Sequence, residues 1–177
     1  GAAKLHFLSS YVALRPHNVD ATRQILQLTS ESGARLLHLS TINAAMTTVD
    51  CGRTRVLESD PPPPISAIGG AYNRTKWVGE RLVEMGAASG VQAAILRLGW
   101  VIGDARRGAI AEDQVQHRAA AAAVRAGVAL LPAGAMDLVP VEYVAACVVA
   151  LLVAPECSGI YHLVHPTPLY ADAMAAT

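Results

Sequence analysis

The stretch AYNRTKWVGERLVEMGAASGVQAAILRLG, residues 71–99, contains a helical pattern followed directly by a strand pattern. We predict a helix from Ala71 to Ala88 that is closed by Gly90. The segment VQAAILRLG that follows is almost continuously apolar, which is typical of a strand covered on both faces in a parallel sheet. A helix that leads into such a strand is one unit of an alternating α/β fold.

The rest of the chain repeats this alternation. A helical pattern covers residues 11–32, with Gly33 at its end and Pro16 inside it, where the chain is expected to bend or the regular helix to begin. A short buried strand is predicted over residues 36–40, followed by a long loop with four consecutive prolines. The remaining predictions are helices in AEDQVQHRAAAAAVRAG and LVPVEYVAACVVALLVAPE, a strand in GIYHLVHP, and the beginning of a helix in LYADAMAAT.

This order predicts an α/β fold with a parallel sheet and helices on both faces, in a single domain over residues 1–177. Hydrophobic residues make up 53% of the 177, charged residues 16%, and the formal net charge is +0, so the chain is expected to fold around a core. The charge balance provides no electrostatic footprint for nucleic acid and no basic run for a membrane surface.

No segment predicts a membrane span or a secretory signal. The longest apolar stretch, VEYVAACVVALLVA, contains Glu142 and is too short to cross a bilayer, so we interpret it as a buried amphipathic helix. The first residues lack a charged region followed by a long apolar run. Three cysteines and six histidines show no metal-ligand spacing, which favours reduced thiols in a cytoplasmic protein without a metal site.

Polar and glycine residues follow the predicted strands where a parallel sheet places its ligand sites, at the carboxyl ends. The segment LLHLST delivers Thr41 at the end of one strand. The segment AYNRTK places Tyr72 and Lys76 one turn apart, early on the next helix. The segment LRLGWVIGD leaves the following strand through Gly99 and Gly103. These three segments are expected to meet at one edge of the sheet.

Thr41, Tyr72 and Lys76 have the chemistry that carbonyl reduction requires. A tyrosine can donate a proton to a carbonyl that receives hydride, and an ammonium group one turn away lowers the tyrosine pKa from about 10. A hydroxyl on the neighbouring strand can hold the carbonyl oxygen as charge develops. A Y-x-x-x-K pair alone easily arises by chance, as a packed tyrosine and a solvated lysine; Thr41 upstream and the glycine-rich exit downstream favour a reduction site.

The motifs resemble the extended short-chain dehydrogenase/reductase superfamily, and within it the thioester reductase domains that end nonribosomal peptide and polyketide synthetases. The similar segments are YVALRPHNVDATRQIL, HLSTI, YNRTKWVGERLV, ILRLGWVIGDARRG, LVPVEYVA and GIYHLVHPTPL. They occur in the family's order and cover most of the chain. The resemblance implies a Rossmann-like, doubly wound sheet and the start of a smaller C-terminal substrate subdomain.

The resemblance also implies a cofactor, a substrate and residue roles. Thr41 takes the hydroxyl role, Tyr72 is the proton donor, and Lys76 binds the ribose and lowers the tyrosine pKa. The cofactor is NADPH, and the substrate is an acyl or peptidyl thioester on a phosphopantetheinyl carrier-protein domain, released as an aldehyde or alcohol. The cofactor-binding residues implied, besides Tyr72 and Lys76, are Ala2, Ala3, Asn18, Leu98, Gly99, Trp100 and Val101.

The sequence departs from the family pattern in the turn that binds the pyrophosphate of the dinucleotide cofactor. The family begins with a strand and a G-x-x-G-x-x-G turn, and this sequence has no such turn. Residues 1–4 correspond to a point inside the Rossmann-like domain, so we expect a piece of a longer protein, truncated before this turn. The isolated chain is expected to bind dinucleotide poorly and to be inactive.

Two further functions remain open from the sequence: another extended reductase or epimerase acting on acyl-CoA or a nucleotide-sugar, and a non-catalytic structural or carrier-docking segment. Arg106 and Arg107, after the glycine-rich exit, fit either a solvated loop or a contact with a phosphate of the cofactor or of a pantetheine arm. Trp77 and Glu80 are expected to be packing and helix-surface residues.

Overall fold

The computed structural model describes residues 3–6, 8–47, 55–110, 114–128 and 136–167. Cys51, Ala2, the predicted C-terminal helix in LYADAMAAT and the acidic residues before the fourth α-helix lie outside these ranges. The elements are, in order, α1 (Tyr11–Arg15), a π-helical turn (Pro16–Asp20), α2 (Ala21–Ser32), β1 (Leu36–Thr41), a 3-10 turn (Ile42–Ala44), a second 3-10 turn (Ile65–Ala67), α3 (Ala71–Ala88), β2 (Ala93–Leu98), β3 (Trp100–Ile102), α4 (Val115–Ala126), β4 (Leu138–Pro140), α5 (Val141–Val153) and β5 (Gly159–Leu163).

The main sheet has the order β1–β2–β5, and both pairings are parallel. Leu36 lies opposite Ala93 at one end of β1, and Thr41 lies opposite Leu98 at the other. The predicted parallel α/β fold is therefore confirmed. The central strand β2 is buried over all but its last residue, which explains why its sequence is almost continuously apolar.

Alternate residues of β2 face two separate parts of the core. Ala94 and Leu96 pack in a cluster with Val139 and Val144, on the face covered by α5. Ala93 and Ile95 pack with Val83 of α3 on the other face. Since successive side chains of a strand point to opposite faces, helices cover both sides of this sheet, as the doubly wound arrangement requires.

The helical pattern of residues 11–32 is interrupted by the π-helical turn, which begins at Pro16. Proline lacks the N–H that a regular α-helix would use, and a π-turn is wider than an α-turn. The regular α-helix is thus interrupted at Pro16 and resumes at Ala21, and α2 ends at Gly33, which has φ +67°. The π-helical turn carries Asn18 and Val19 into the interior.

The strands β3 and β4 form a second, two-stranded parallel sheet that we did not predict. The Gly99 N–H donates to the Leu163 carbonyl of β5 at 3.0 Å, and the next N–H, of Trp100, donates to the Asp137 carbonyl at 2.8 Å. At Gly99 the chain thus leaves its pairing with β5 and begins to pair with the segment of β4. A Cβ at Gly99 would lie 2.1 Å from Asp137 Oδ2, so a side chain at this position would require the Asp137 side chain to move.

The expectation that α5 is buried was wrong for much of its surface. Val144 is buried, but Val149 and Val153 are 59% and 77% exposed. The helix begins directly after Pro140. Within the described residues, no helix is both long enough and apolar enough to cross a membrane.

Candidate active site

Lys76 and Tyr72 lie on the side of α3 that faces the end of β1. Lys76 is only 4% exposed, and its ammonium donates to the carbonyl of Leu39, with 2.5 Å between Nζ and O. Burial lowers the Lys76 pKa to about 8, against the opposing effect of the Glu80 carboxylate. The Lys76 ammonium therefore loses its proton at a pH closer to neutrality than an exposed lysine does.

Tyr72 is half-buried, and burial raises the pKa of its phenol. We expected Lys76 to lower this pKa, whereas the structure directs the Lys76 hydrogen bond to the Leu39 carbonyl. The phenol is therefore protonated at neutral pH, which suits a proton donor. The lowering of its pKa by Lys76 stays a prediction.

Thr41 is the last residue of β1 and precedes a 3-10 turn that it caps. Its Oγ1 accepts a hydrogen bond from the Asn43 N–H at 3.3 Å. A hydroxyl that accepts in this way still has its own proton to donate. The parallel register places Thr41 beside Leu98, at the carboxyl end of the central strand.

Asn18 connects the N-terminal segment to the start of α3. It is 3% exposed; its Oδ1 accepts from the Lys4 N–H at 2.8 Å, and its Nδ2 donates to the Lys4 carbonyl and to Thr75 Oγ1, both at 3.0 Å. Thr75 in turn donates to the Tyr72 carbonyl at 2.7 Å. These bonds order the turn of α3 that carries Tyr72 and Lys76.

A cavity of about 550 Å³ lies beside β1 and gathers five of the predicted site residues. Thr41, Gly99, Trp100 and Val101 lie outside its lining, and Trp100 is 41% exposed. The predicted residues that line the cavity are Ala3, Asn18, Tyr72, Lys76 and Leu98.

The cavity combines polar and apolar walls. Lys76 has three N–H donors, and the Leu39 carbonyl uses one of them, which leaves two for other acceptors. Apolar side chains such as Leu98 and Val148 provide the rest of the wall. Within the described ranges, no three His, Cys, Asp or Glu residues are placed to hold a metal ion.

The sequence did not single out His38, which lies in this cavity wall. Its ring is buried against Gly79, where a Cβ would approach His38 Nε2 to 3.2 Å. Nε2 has no hydrogen-bond partner among the described residues. Burial, and secondarily the charge of Lys76, lower the His38 pKa to about 3, so the ring is neutral. No local sequence signal marks a histidine that becomes buried only by tertiary packing.

We expect the free energy of unfolding to fall as pH drops from about 6.5 towards 3, because His38 binds a proton in the unfolded chain but not in the folded one. Replacing the ring, as in His38→Asn, should flatten this dependence by up to about 1.4 kcal/mol per pH unit relative to the unchanged chain. Urea unfolding at several pH values measures the slope. The exposed His6→Asn should keep the original slope, and an unchanged slope in His38→Asn would contradict the assignment.

Glu80 was expected on the helix surface and is instead fully buried, at 0% exposure. Its carboxylate accepts from Ser40 Oγ at 2.5 Å and from two nitrogens of Arg97, at 2.8 Å and 3.1 Å to Oε2. Arg97 is 1% exposed. This network joins β1, α3 and β2 one turn after Lys76, and it sets the position of α3 along the strands.

The family comparison places the chain in a group with an NAD-binding domain. A family model described as "Male sterility protein" matches residues 1–148. A linear gramicidin synthase from Brevibacillus parabrevis is 29% identical over 177 residues, which are 98% of this chain and 4% of that protein. The L-2-aminoadipate reductase large subunit of Penicillium chrysogenum is 26% identical over 169 residues, which are 89% of this chain and 12% of that protein.

Solved structures agree on the fold. The terminal R domain from the myxalamid PKS-NRPS pathway has a TM-score of 0.91 and 35% identity, over 99% of this chain and 44% of that one. RMD from Pseudomonas aeruginosa, solved with NADPH, has a TM-score of 0.73 and 17% identity, over 99% of this chain and 63% of that one, and supports the fold alone. The chain thus spans a small part of the two synthetase and reductase relatives and less than half of the R domain.

The family match covers most of the chain, and the parallel sheet, its doubly wound helices and the TM-score of 0.91 agree with it. The chain therefore belongs to the NAD-binding family described as male sterility protein, with the Rossmann-like fold of the extended short-chain dehydrogenase/reductases.

Proposed function

We propose that this chain is part of a reductase that releases a carrier-bound acyl or peptidyl thioester as an aldehyde or alcohol. The observation that carries the proposal is that Tyr72 and the buried Lys76 line one cavity along β1, the strand that ends at Thr41. The terminal R domain that matches 99% of the chain supports the same substrate class.

Each residue of the site has a separate task in this reaction. Thr41 and Tyr72 hold the thioester carbonyl oxygen, and Tyr72 transfers its phenolic proton to that oxygen as the carbonyl carbon is reduced. Reduced nicotinamide supplies the hydride when it is bound. Lys76 binds the ribose and stabilises the tyrosinate that remains. The hemithioacetal then breaks its C–S bond: its hydroxyl loses a proton, the sulfur leaves as a thiol, and the carbon becomes an aldehyde.

The cofactor we propose is NADPH. The family is an NAD-binding one, and structures of similar fold were solved with NADPH and with NAD. The residues proposed to hold the nicotinamide side are Ala2, Ala3, Asn18, Tyr72, Lys76, Leu98, Gly99, Trp100 and Val101. A comparison of hydride transfer from NADPH and NADH by the full-length protein tests the preference for the phosphorylated cofactor.

The proposed partner is a carrier-protein domain with a phosphopantetheinyl arm. The gramicidin synthase and the R domain of a PKS-NRPS pathway are multidomain assembly proteins or parts of them, which supports a tethered substrate. The proposed location is the cytoplasm, where NADPH is available.

A product assay on the full-length protein tests the substrate class. With NADPH present, we expect an acyl thioester on a pantetheine arm to yield aldehyde or alcohol together with a thiol, in equal amounts. A nucleotide-sugar should be unchanged. Conversion of the nucleotide-sugar without reduction of the thioester would support the epimerase alternative and contradict the proposal.

A further inference from the structure

A second groove, of about 610 Å³, lies at the carboxyl ends of β3 and β4. It shares no lining residue with the cavity of Tyr72 and Lys76. Its walls come from the loop after β3 and from the beginning of α5, and include Asp104, Arg106, Arg107, Pro140, Glu142 and Tyr143. The site described above makes no use of these residues.

The two arginine side chains of this groove make no ion pair with the carboxylates that line it, Asp104 and Glu142. Asp104 Oδ1 accepts from the backbone N–H groups of Arg106 and Arg107, at 2.8 Å and 3.2 Å. Glu142 Oε1 accepts from the Ala105 N–H at 3.1 Å. Both guanidinium groups belong to exposed residues, and neither has a side-chain hydrogen bond or ion pair with another described residue. They are available to an anion, and the positive end of α5 adds to that preference.

The groove also contains a hydrogen-bond acceptor without a donor. Glu142 Oε2 is buried and has no partner in the described part of the chain. A buried carboxylate oxygen accepts hydrogen bonds only, so its partner must carry an N–H or O–H group. A ligand that satisfies the groove therefore combines an anionic group with a neighbouring hydroxyl or amide N–H.

The groove lies within the length of a pantetheine arm from the proposed reduction site. Strand β3 starts immediately after Gly99, and its three residues cover about 10 Å. Leu98, just before Gly99, lies beside Thr41. A pantetheine arm has about thirteen bonds between its sulfur and its phosphorus, which span about 15 Å when extended like a polypeptide. An arm whose thioester lies at Thr41 and Tyr72 can thus place its phosphate in the groove.

We propose that Arg106 and Arg107 bind the phosphate of the pantetheine arm, while Glu142 accepts a hydrogen bond from a hydroxyl or amide N–H of the same arm. This inference rests on the proposed thioester reduction and names the subsite that holds the tether. The Arg106 and Arg107 contacts act on binding and not on the proton transfer. Their loss should therefore appear in KM and leave kcat unchanged.

The test compares two thioesters with the same acyl group, one on phosphopantetheine and one on pantetheine without the phosphate, in the full-length protein. The double variant Arg106→Ala/Arg107→Ala should raise KM for the phosphorylated substrate at least tenfold, because both guanidinium groups lose their charge-assisted hydrogen bonds to the phosphate. KM for the other thioester and for the free aldehyde should not change. Arg118→Ala/Arg125→Ala, on the exposed side of α4, is the matched control and should leave all three unchanged.

An equal rise in KM for both thioesters, or none, would overturn the subsite. Failure of the unaltered protein to reduce any thioester would instead count against the proposed function. In that case, equilibrium binding of phosphopantetheine itself decides the question. Binding that weakens in the double variant supports the subsite, while binding that is absent or equally strong in both proteins contradicts it.

Discussion

Replacing Tyr72 with phenylalanine should reduce turnover by about 10²- to 10⁴-fold, the usual contribution of a positioned general acid. The phenol is half-buried, and burial keeps its pKa high, so it carries the proton that the carbonyl oxygen must receive. Phenylalanine keeps the ring and its packing on α3 but has no proton to give. Single-turnover oxidation of NADPH with a thioester substrate, in the full-length protein, measures the loss.

Two observations make this result specific to the proton transfer. The thermal midpoint and the affinity for NADPH should stay close to those of the unaltered protein, because the ring is retained. The variant Tyr11→Phe removes a phenolic hydroxyl that does not line the cavity and should leave turnover unchanged. Aldehyde release by Tyr72→Phe at the unaltered rate would exclude Tyr72 as the proton donor.

Removing the Glu80 carboxylate should destabilise the fold by about 3–5 kcal/mol, the usual result of breaking one half of a buried ion pair. Glu80→Ala would leave the Arg97 guanidinium buried, at 1% exposure, without its carboxylate partner. It would also leave Ser40 Oγ without its acceptor. Urea denaturation of this chain, followed by circular dichroism, measures the change in the free energy of unfolding.

Exposed and milder variants separate the buried pair from a general effect of charge. Glu84→Ala removes a carboxylate whose side chain is 39% exposed and paired with Arg81, so it should cost less than about 1 kcal/mol. Ser40→Ala should cost about 1 kcal/mol and remains measurable if Glu80→Ala fails to fold. The combined Glu80→Met/Arg97→Met variant should be more stable than either single replacement. Equal losses in Glu80→Ala and Glu84→Ala would be inconsistent with a buried pair.

The sequence predicted the elements whose signals are local. The apolar run of β2 and the helical spacing of α3 needed no information from distant residues. Gly33 and Gly127, which end α2 and α4 with φ +67° and +64°, were also recognisable from the chain alone. The alternation of these elements was sufficient to predict the parallel sheet. The structure places Thr41 beside Leu98 at the carboxyl edge of the sheet, and a shared site with Tyr72 and Lys76 stays a prediction.

The missed features depend on contacts between distant residues. The strands β3 and β4 have three residues each and no periodic pattern, so only their pairing defines them. Glu80 and Arg97 are separated by 17 positions, and neither sequence neighbourhood indicates a buried charge. The groove of Arg106 and Glu142 depends on the contact between Ala105, in the loop after β3, and Glu142, 37 positions later at the start of α5.

The bond from Lys76 to the Leu39 carbonyl has a consequence for how the site tolerates change. The acceptor is a main-chain oxygen, so every amino acid at position 39 that keeps the strand supplies it equally. Substitution at Leu39 therefore alters packing but does not remove the ammonium's anchor. The orientation of the Lys76 ammonium depends on the backbone conformation of β1. It can therefore be retained when the side chains around it are substituted during evolution.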